Sequence, residues 1–203
     1  VQPLLIGKAL RAFADGYVAV LLPAYLLALG FGTLDVGILS TATLLGSALA
    51  TLAVGAWGHR FHHRRLLLGA ALLMLSTGLA FASMSAFWPL LLVAFIGTLN
   101  PSSGDVSVFL PLEHARLAES SQGATRTALF ARYSLLGALF AALGALASGL
   151  PQLLVATLGI EQLTAFRVMF VFYGMVGGAV WFLYLSLPAP EHEVEVPPAL
   201  PLG

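Results

Sequence analysis

The sequence predicts an all-α membrane protein in which six transmembrane helices form one bundle, and three observations carry that prediction. Of the 203 residues, 59% are hydrophobic and only 9% are charged, whereas a soluble domain carries about 25% charged residues. A chain this apolar has too little polar surface to face water, so lipid must solvate most of it. Its apolar runs exceed twenty residues, enough for a helix to cross the roughly 30 Å hydrocarbon core. They lack the alternation of barrel strands, and only a helix satisfies its own backbone within one segment. The basic residues, finally, fall almost entirely in alternate loops.

The first run covers residues 4–29, broken only by Lys8, Arg11 and Asp15, and Gly30 to Thr33 punctuates it. Leu34–Gly58 is the second run. The segment 59–65, HRFHHRR, is the densest charge cluster, and Leu66 to about Ala86 follows as a third span. Phe87, Trp88 and Pro89 read as an interfacial turn, because Trp is at home at headgroup depth. Leu90–Leu112 is the fourth span, with a polar interior NPSSGD at 100–105. Residues 113–126 read as the longest polar loop. Thr127–Leu150 is the fifth span, stopped by Pro151, and 151–165 is a loop with room for an interfacial helix. Phe166–Leu187 is the sixth. Residues 188–203 hold five prolines and three glutamates, the composition of a disordered tail or linker. The chain therefore divides into a bundle at 1–187 and a tail at 188–203.

With six spans both termini share a side. That side holds Lys8, Arg11, Arg60, Arg64, Arg65, Arg116, Arg126 and Arg132, and the other holds only Arg167. The positive-inside rule then places both termini in the cytoplasm. Arg in preference to Lys, with Leu- and Ala-rich spans, points to a bacterial inner membrane. Nine basic residues balance nine acidic ones, so there is no basic face for nucleic acid. The lack of cysteine excludes thiol chemistry and Cys-ligated zinc. His59, His62 and His63 have no carboxylate beside them in sequence and are read as loop residues, not as a metal site. No hydrolase elbow, phosphate-binding glycine loop or zinc-protease helix is present. No cofactor and no enzymatic activity are expected.

The segment GAWGHRFHHRR (55–65) resembles the loop between the second and third spans of major facilitator superfamily transporters. Gly55, Arg60 and the basic pair Arg64–Arg65 fit that family's pattern. His59 stands where an aspartate is usual and His62 where a glycine is. Asp15–Gly16, Pro23 with Tyr25, and LGFG (29–32) also resemble the opening of these transporters. The resemblance covers roughly residues 7–187. It implies a 12-helix whole, with this chain as its N-terminal six-helix half and substrate bound between two bundles that rock alternately. The second half would come from downstream in the same gene or from a homodimer.

Candidate site residues follow from depth. An ionisable group at mid-bilayer costs about 2.5–3.5 kcal/mol on insertion scales and marks function by default. Asp15 lies roughly 16 Å along its span, placed to carry a coupling proton or meet a cationic substrate. Its alternative is an ion pair with Arg11, one turn earlier. Asn100 to Asp105, including Ser103, form a kinked polar break around Pro101 and Gly104 that can expose backbone to a solute. Its alternative is a packing kink. Arg132 and Tyr133 open the fifth span. Arg132 is expected to pair with Asp105 or Glu113, or to snorkel to the interface about 8 Å away. Gly55, His59, Arg60, Arg64, Arg65, Glu113 and Arg116 are expected at the cytoplasmic surface. The resemblance implies that such groups latch the inner helix ends, and topology determination is the alternative. Gly137, Gly144 and Gly149 make a small-residue face for docking another bundle or for packing within this one.

The function expected is secondary active transport of a small solute, proton-coupled. The rival is a non-transporting membrane scaffold derived from a transporter half.

Overall fold

A computed structural model describes residues 2–99, 107–119 and 123–187. Among the described residues the helices are α1 (Gln2–Ala28), α2 (Thr33–Trp57), α3 (His63–Ser83), α4 (Phe87–Ile96), α5 (Phe109–Glu119), α6 (Gly123–Ala147), α7 (Leu150–Leu158) and α8 (Gln162–Leu185). A 3-10 turn, Gly58–Arg60, joins α2 to α3, and no strand occurs among these residues. Asn100, Ser103 and Asp105, with the rest of the polar break, lie outside the described residues, as does the tail 188–203.

Five helical segments are long and apolar enough to cross a membrane: α1, α2, α3, the stretch formed by α6 and α7, and α8. Where the fourth span is expected, Leu90–Leu112, the described residues hold the shorter apolar helix α4 and the start of α5. Three boundaries differ from expectation. Phe87, Trp88 and Pro89 are not a turn but the first turn of α4, where proline is tolerated because its missing N–H would have no helical partner. The polar segment from 113 is not a loop at its start, since α5 continues to Glu119. The 151–165 connection is mostly ordered as α7, closed by Gly159 at φ 65, a left-handed cap that glycine adopts without strain.

α1 is the hub, packing along α6 and α8, while α3 packs along α8 and α2 along α4. Glycine sets how close these helices come, since a helix without a Cβ admits its neighbour's backbone. A Cβ on Gly16 would collide with the Ala141 carbonyl, and one on Gly144 with the Phe13 carbonyl, so α1 and α6 interlock reciprocally. Gly78 faces the backbone of Gly174 across α3 and α8, and Gly46 faces the Phe95 carbonyl across α2 and α4. The small residues of α6 at 137 and 144 thus serve packing inside this bundle.

Aromatic side chains close one end. The Tyr25 hydroxyl on α1 donates to the Phe81 carbonyl at 2.6 Å, and its ring lies 4.7 Å from that of Phe170. Phe81 stacks on Phe170 at 5.5 Å, and Arg167 Nη2 donates to Ser85 Oγ at 2.7 Å. This clasp ties α1, α3 and α8 together and fixes the direction in which α1 presents its polar residues.

Candidate functional site

Lys8, Arg11 and Asp15 are spaced by three and four residues, which stacks them on one face of α1. That face turns inward: Arg11 is 3% and Asp15 7% exposed. Arg11 does not take Asp15 as its main partner. Its Nη2 donates to Glu113 Oε2 in an ion pair whose carboxylate is fully buried. Glu113 is therefore no surface charge, contrary to the sequence expectation. The Tyr133 hydroxyl on α6 also donates to Oε2, and the Tyr184 hydroxyl on α8 donates to Oε1. Four helices, α1, α5, α6 and α8, thus each send one polar group to a single point.

The surroundings are built for that point. The Arg11 guanidinium lies 3.9 Å over the Phe109 ring, which offers a cation–π face in place of water. The Lys8 ammonium sits 5.1 Å over the Tyr133 ring, and His114 packs edge-on at 5.3 Å from the same ring. Gly7 and Gly137 make the room. A Cβ at Gly7 would come within 2.8 Å of Tyr184 Oη, and one at Gly137 within 2.5 Å of Lys8 Cε. An isolated buried carboxylate would be costly, but a paired one with every oxygen supplied is tolerated.

Asp15 is supplied differently. It interacts with the Tyr173 hydroxyl and with the charges of Arg11 and Lys8. Tyr173 in turn donates to the Thr98 carbonyl at 3.1 Å and lies 3.2 Å from Thr98 Oγ1. Arg11 therefore stands between two carboxylates, bonded to Glu113 and one turn from Asp15, and its Nε makes no hydrogen bond among the described residues. The column contains two cations, Lys8 and Arg11, and two acids, Asp15 and Glu113, in a low-dielectric interior where a change in one charge is felt by the others.

The remaining predicted residues separate from this cluster. Tyr133 belongs to it, but Arg132 is exposed on α6 and does not pair with Glu113. Gly55, Arg60 and Arg65 are exposed, Arg116 is half-buried on α5, and His59 lies in the 3-10 turn. Arg64 Nη2 donates to the Leu185 carbonyl at 2.8 Å, tying that turn to the end of α8. Sequence reasoning missed Tyr184, Phe109, Tyr173 and Lys8 as participants. For the tyrosines a signal existed, since 173 and 184 are eleven apart, three helical turns, on one face of an otherwise apolar span.

A polytopic bundle of long apolar helices with an ionic cluster buried among them falls in the class of integral membrane proteins. The chain belongs to the Major Facilitator Superfamily, whose family profile matches residues 4–201. It is 28% identical over 166 residues to an uncharacterized membrane protein of Saccharomyces cerevisiae, a match covering 81% of this chain and 37% of that one. It is 31% identical over 113 residues to a D-xylose transporter of Levilactobacillus brevis, covering 56% of this chain and 24% of that one. The matched part thus spans well under half the length of either relative.

Proposed function

We propose that the chain is the N-terminal, six-span half of a secondary active transporter that moves a small solute by alternating access, coupled to protons through Glu113 and Asp15. The observation that carries this reading is the sealed convergence of Arg11, Tyr133 and Tyr184 on Glu113. A purely structural bundle gains little from such a cluster, because replacing a buried ion pair by well-packed apolar residues is often neutral or stabilising. Ionisable groups retained inside a membrane bundle mark ion and substrate pathways.

In this mechanism a proton reaching Glu113 neutralises it, and Arg11 is released towards Asp15. The tyrosine hydroxyls then lose their charged acceptor, which loosens α8 and α6 from α1. Transport follows because the two ion-pair arrangements favour different packings of the same helices. Of the five candidate spans, the stretch formed by α6 and α7 is the least buried in this bundle, which supports its outer face as the seat of a second six-helix unit, from the same gene or a second copy. The likeness to a D-xylose transporter supports a small polar solute such as a pentose as the first to test.

The full protein, reconstituted in proteoliposomes, is expected to accumulate its solute under a proton gradient. Glu113→Gln is expected to abolish that accumulation while leaving solute exchange at equal pH measurable. Undiminished gradient-driven accumulation in a folded Glu113→Gln variant removes the proton-coupling role. Neither accumulation nor exchange for any solute tested favours the non-transporting scaffold.

A further inference from the structure

The cations between α2 and α3 have no part in the buried cluster. Arg60, His62 and Arg65 are exposed, and His63 and Arg64 are half-buried. Among the described residues neither Arg60 nor Arg65 makes an ion pair. The first turn of α3 contains no acidic side chain, and His62 before it supplies no side-chain cap. The positive end of that helix therefore adds to the arginines instead of being offset.

Apolar anchors interleave with these charges. Trp57 is 56% exposed and Phe61 58% exposed. Trp57 ends α2, and α3 begins six residues later; both helices are long and apolar enough to cross a membrane. The turn between them lies where hydrocarbon gives way to headgroups, the depth at which Trp is favoured. The turn is also fixed in place, because Arg64 bonds the Leu185 carbonyl.

We propose that the α2–α3 turn binds the phosphate of an anionic phospholipid, with Arg60 and Arg65 on the headgroup and Trp57 and Phe61 among the neighbouring acyl chains. The ligand is a lipid and not free phosphate, because only a lipid brings the apolar chains that the two exposed aromatics cover. The site depends on α2 and α3 crossing the bilayer and not on what the protein transports, so its test is independent of transport.

The intact protein in detergent is titrated with phosphatidylglycerol and with phosphatidylcholine, and bound lipids are counted by native mass spectrometry. Wild-type protein is expected to retain phosphatidylglycerol preferentially. The R60Q/R65Q variant is expected to lose that preference, by roughly five-fold per arginine removed. R60K/R65K is expected to keep most of it, because a point charge still satisfies a phosphate. Arg132→Gln, an exposed arginine on α6, is expected to change nothing.

A preference that survives R60Q/R65Q overturns the proposal, as does an equal loss in Arg132→Gln, which would mean diffuse charge and no site. Melting temperatures verify that each variant is folded. The chain's own acidic segment, with Glu191, Glu193 and Glu195, is the competing occupant. If wild type shows no lipid preference and replacing all three by Gln creates one, the surface belongs to that segment and the lipid reading fails.

Discussion

At the scale of single residues, Glu113 and Arg11 depend on each other more than on anything else. Arg11→Met leaves a fully buried carboxylate without its cation, and breaking a buried pair this way costs about 3–5 kcal/mol. The paired change Arg11→Met with Glu113→Leu removes both charges and is expected to recover most of that loss. Tyr184→Phe deletes one hydroxyl that donates to a charged acceptor and is expected to cost about 1–3 kcal/mol. Thermal unfolding in detergent checks the set. A double variant as unstable as Arg11→Met alone would mean that the side chains matter for shape and not for charge. Part of this cluster was legible in the sequence. Arg11, Asp15 and Tyr133 stand out because polar groups inside apolar runs need partners. Glu113 was not, because it sits at the edge of a run beside His114 and Arg116, where hydropathy cannot say which way a side chain turns. Only the packing of α5 against α1, α6 and α8 decides that. The polar break at Asn100 to Asp105, the other sequence candidate, lies outside the described residues and stays a proposal.

At the scale of helices, the spacing between α1 and α6 is set by Gly16 and Gly144, each against a carbonyl of the partner helix. Gly144→Val inserts an isopropyl group of three carbons where the Phe13 carbonyl already sits. Overpacking costs typically 1–3 kcal/mol, and here the helices must part, which also pulls Tyr133 away from Glu113. The variant is therefore expected to melt lower and, under the proposed coupling, to weaken proton-driven uptake together. Gly178→Ala on α8 is the control, since nothing lies within 4 Å of its added Cβ. It is expected to leave melting unchanged or raise it slightly, as alanine restricts the unfolded chain. Equal destabilisation by both would show that the α1–α6 approach is not special. The helices themselves were readable because lipid enforces long apolar runs. Their ends were not, because ends are decided by local chemistry. Phe87–Trp88–Pro89 carries an aromatic interface signal and a proline start signal at once, and the second prevails. Residues 113–119 are polar enough for a loop, yet Leu112, Glu113 and Leu117 are buried, and a helix best keeps all three on one side.

At the scale of the molecule, the arrangement in the membrane follows from charge. Eight of the nine basic residues fall on one side if the chain crosses six times, with α4 and α5 as two parts of the fourth crossing. Removing either of the first two crossings would place Arg60, Arg64 and Arg65 opposite Lys8 and Arg11, against the bias that sets orientation during insertion. Because the chain has no cysteine, single substitutions report sidedness without background. His62→Cys lies in the turn before α3, and Glu161→Cys in the connection before α8, and both native side chains are exposed. A membrane-impermeant thiol reagent applied to right-side-out vesicles is expected to modify position 161 and to spare position 62 until the membrane is opened. Inside-out vesicles are expected to reverse the pattern. Equal modification of both positions from one side would mean an even number of crossings between them, not the three argued here. Labelling of position 62 from outside would place Arg60, in the same turn, on the outer face, opposite the side argued above. The six-crossing arrangement would then fail, and with it the orientation on which the proposed coupling through Glu113 relies.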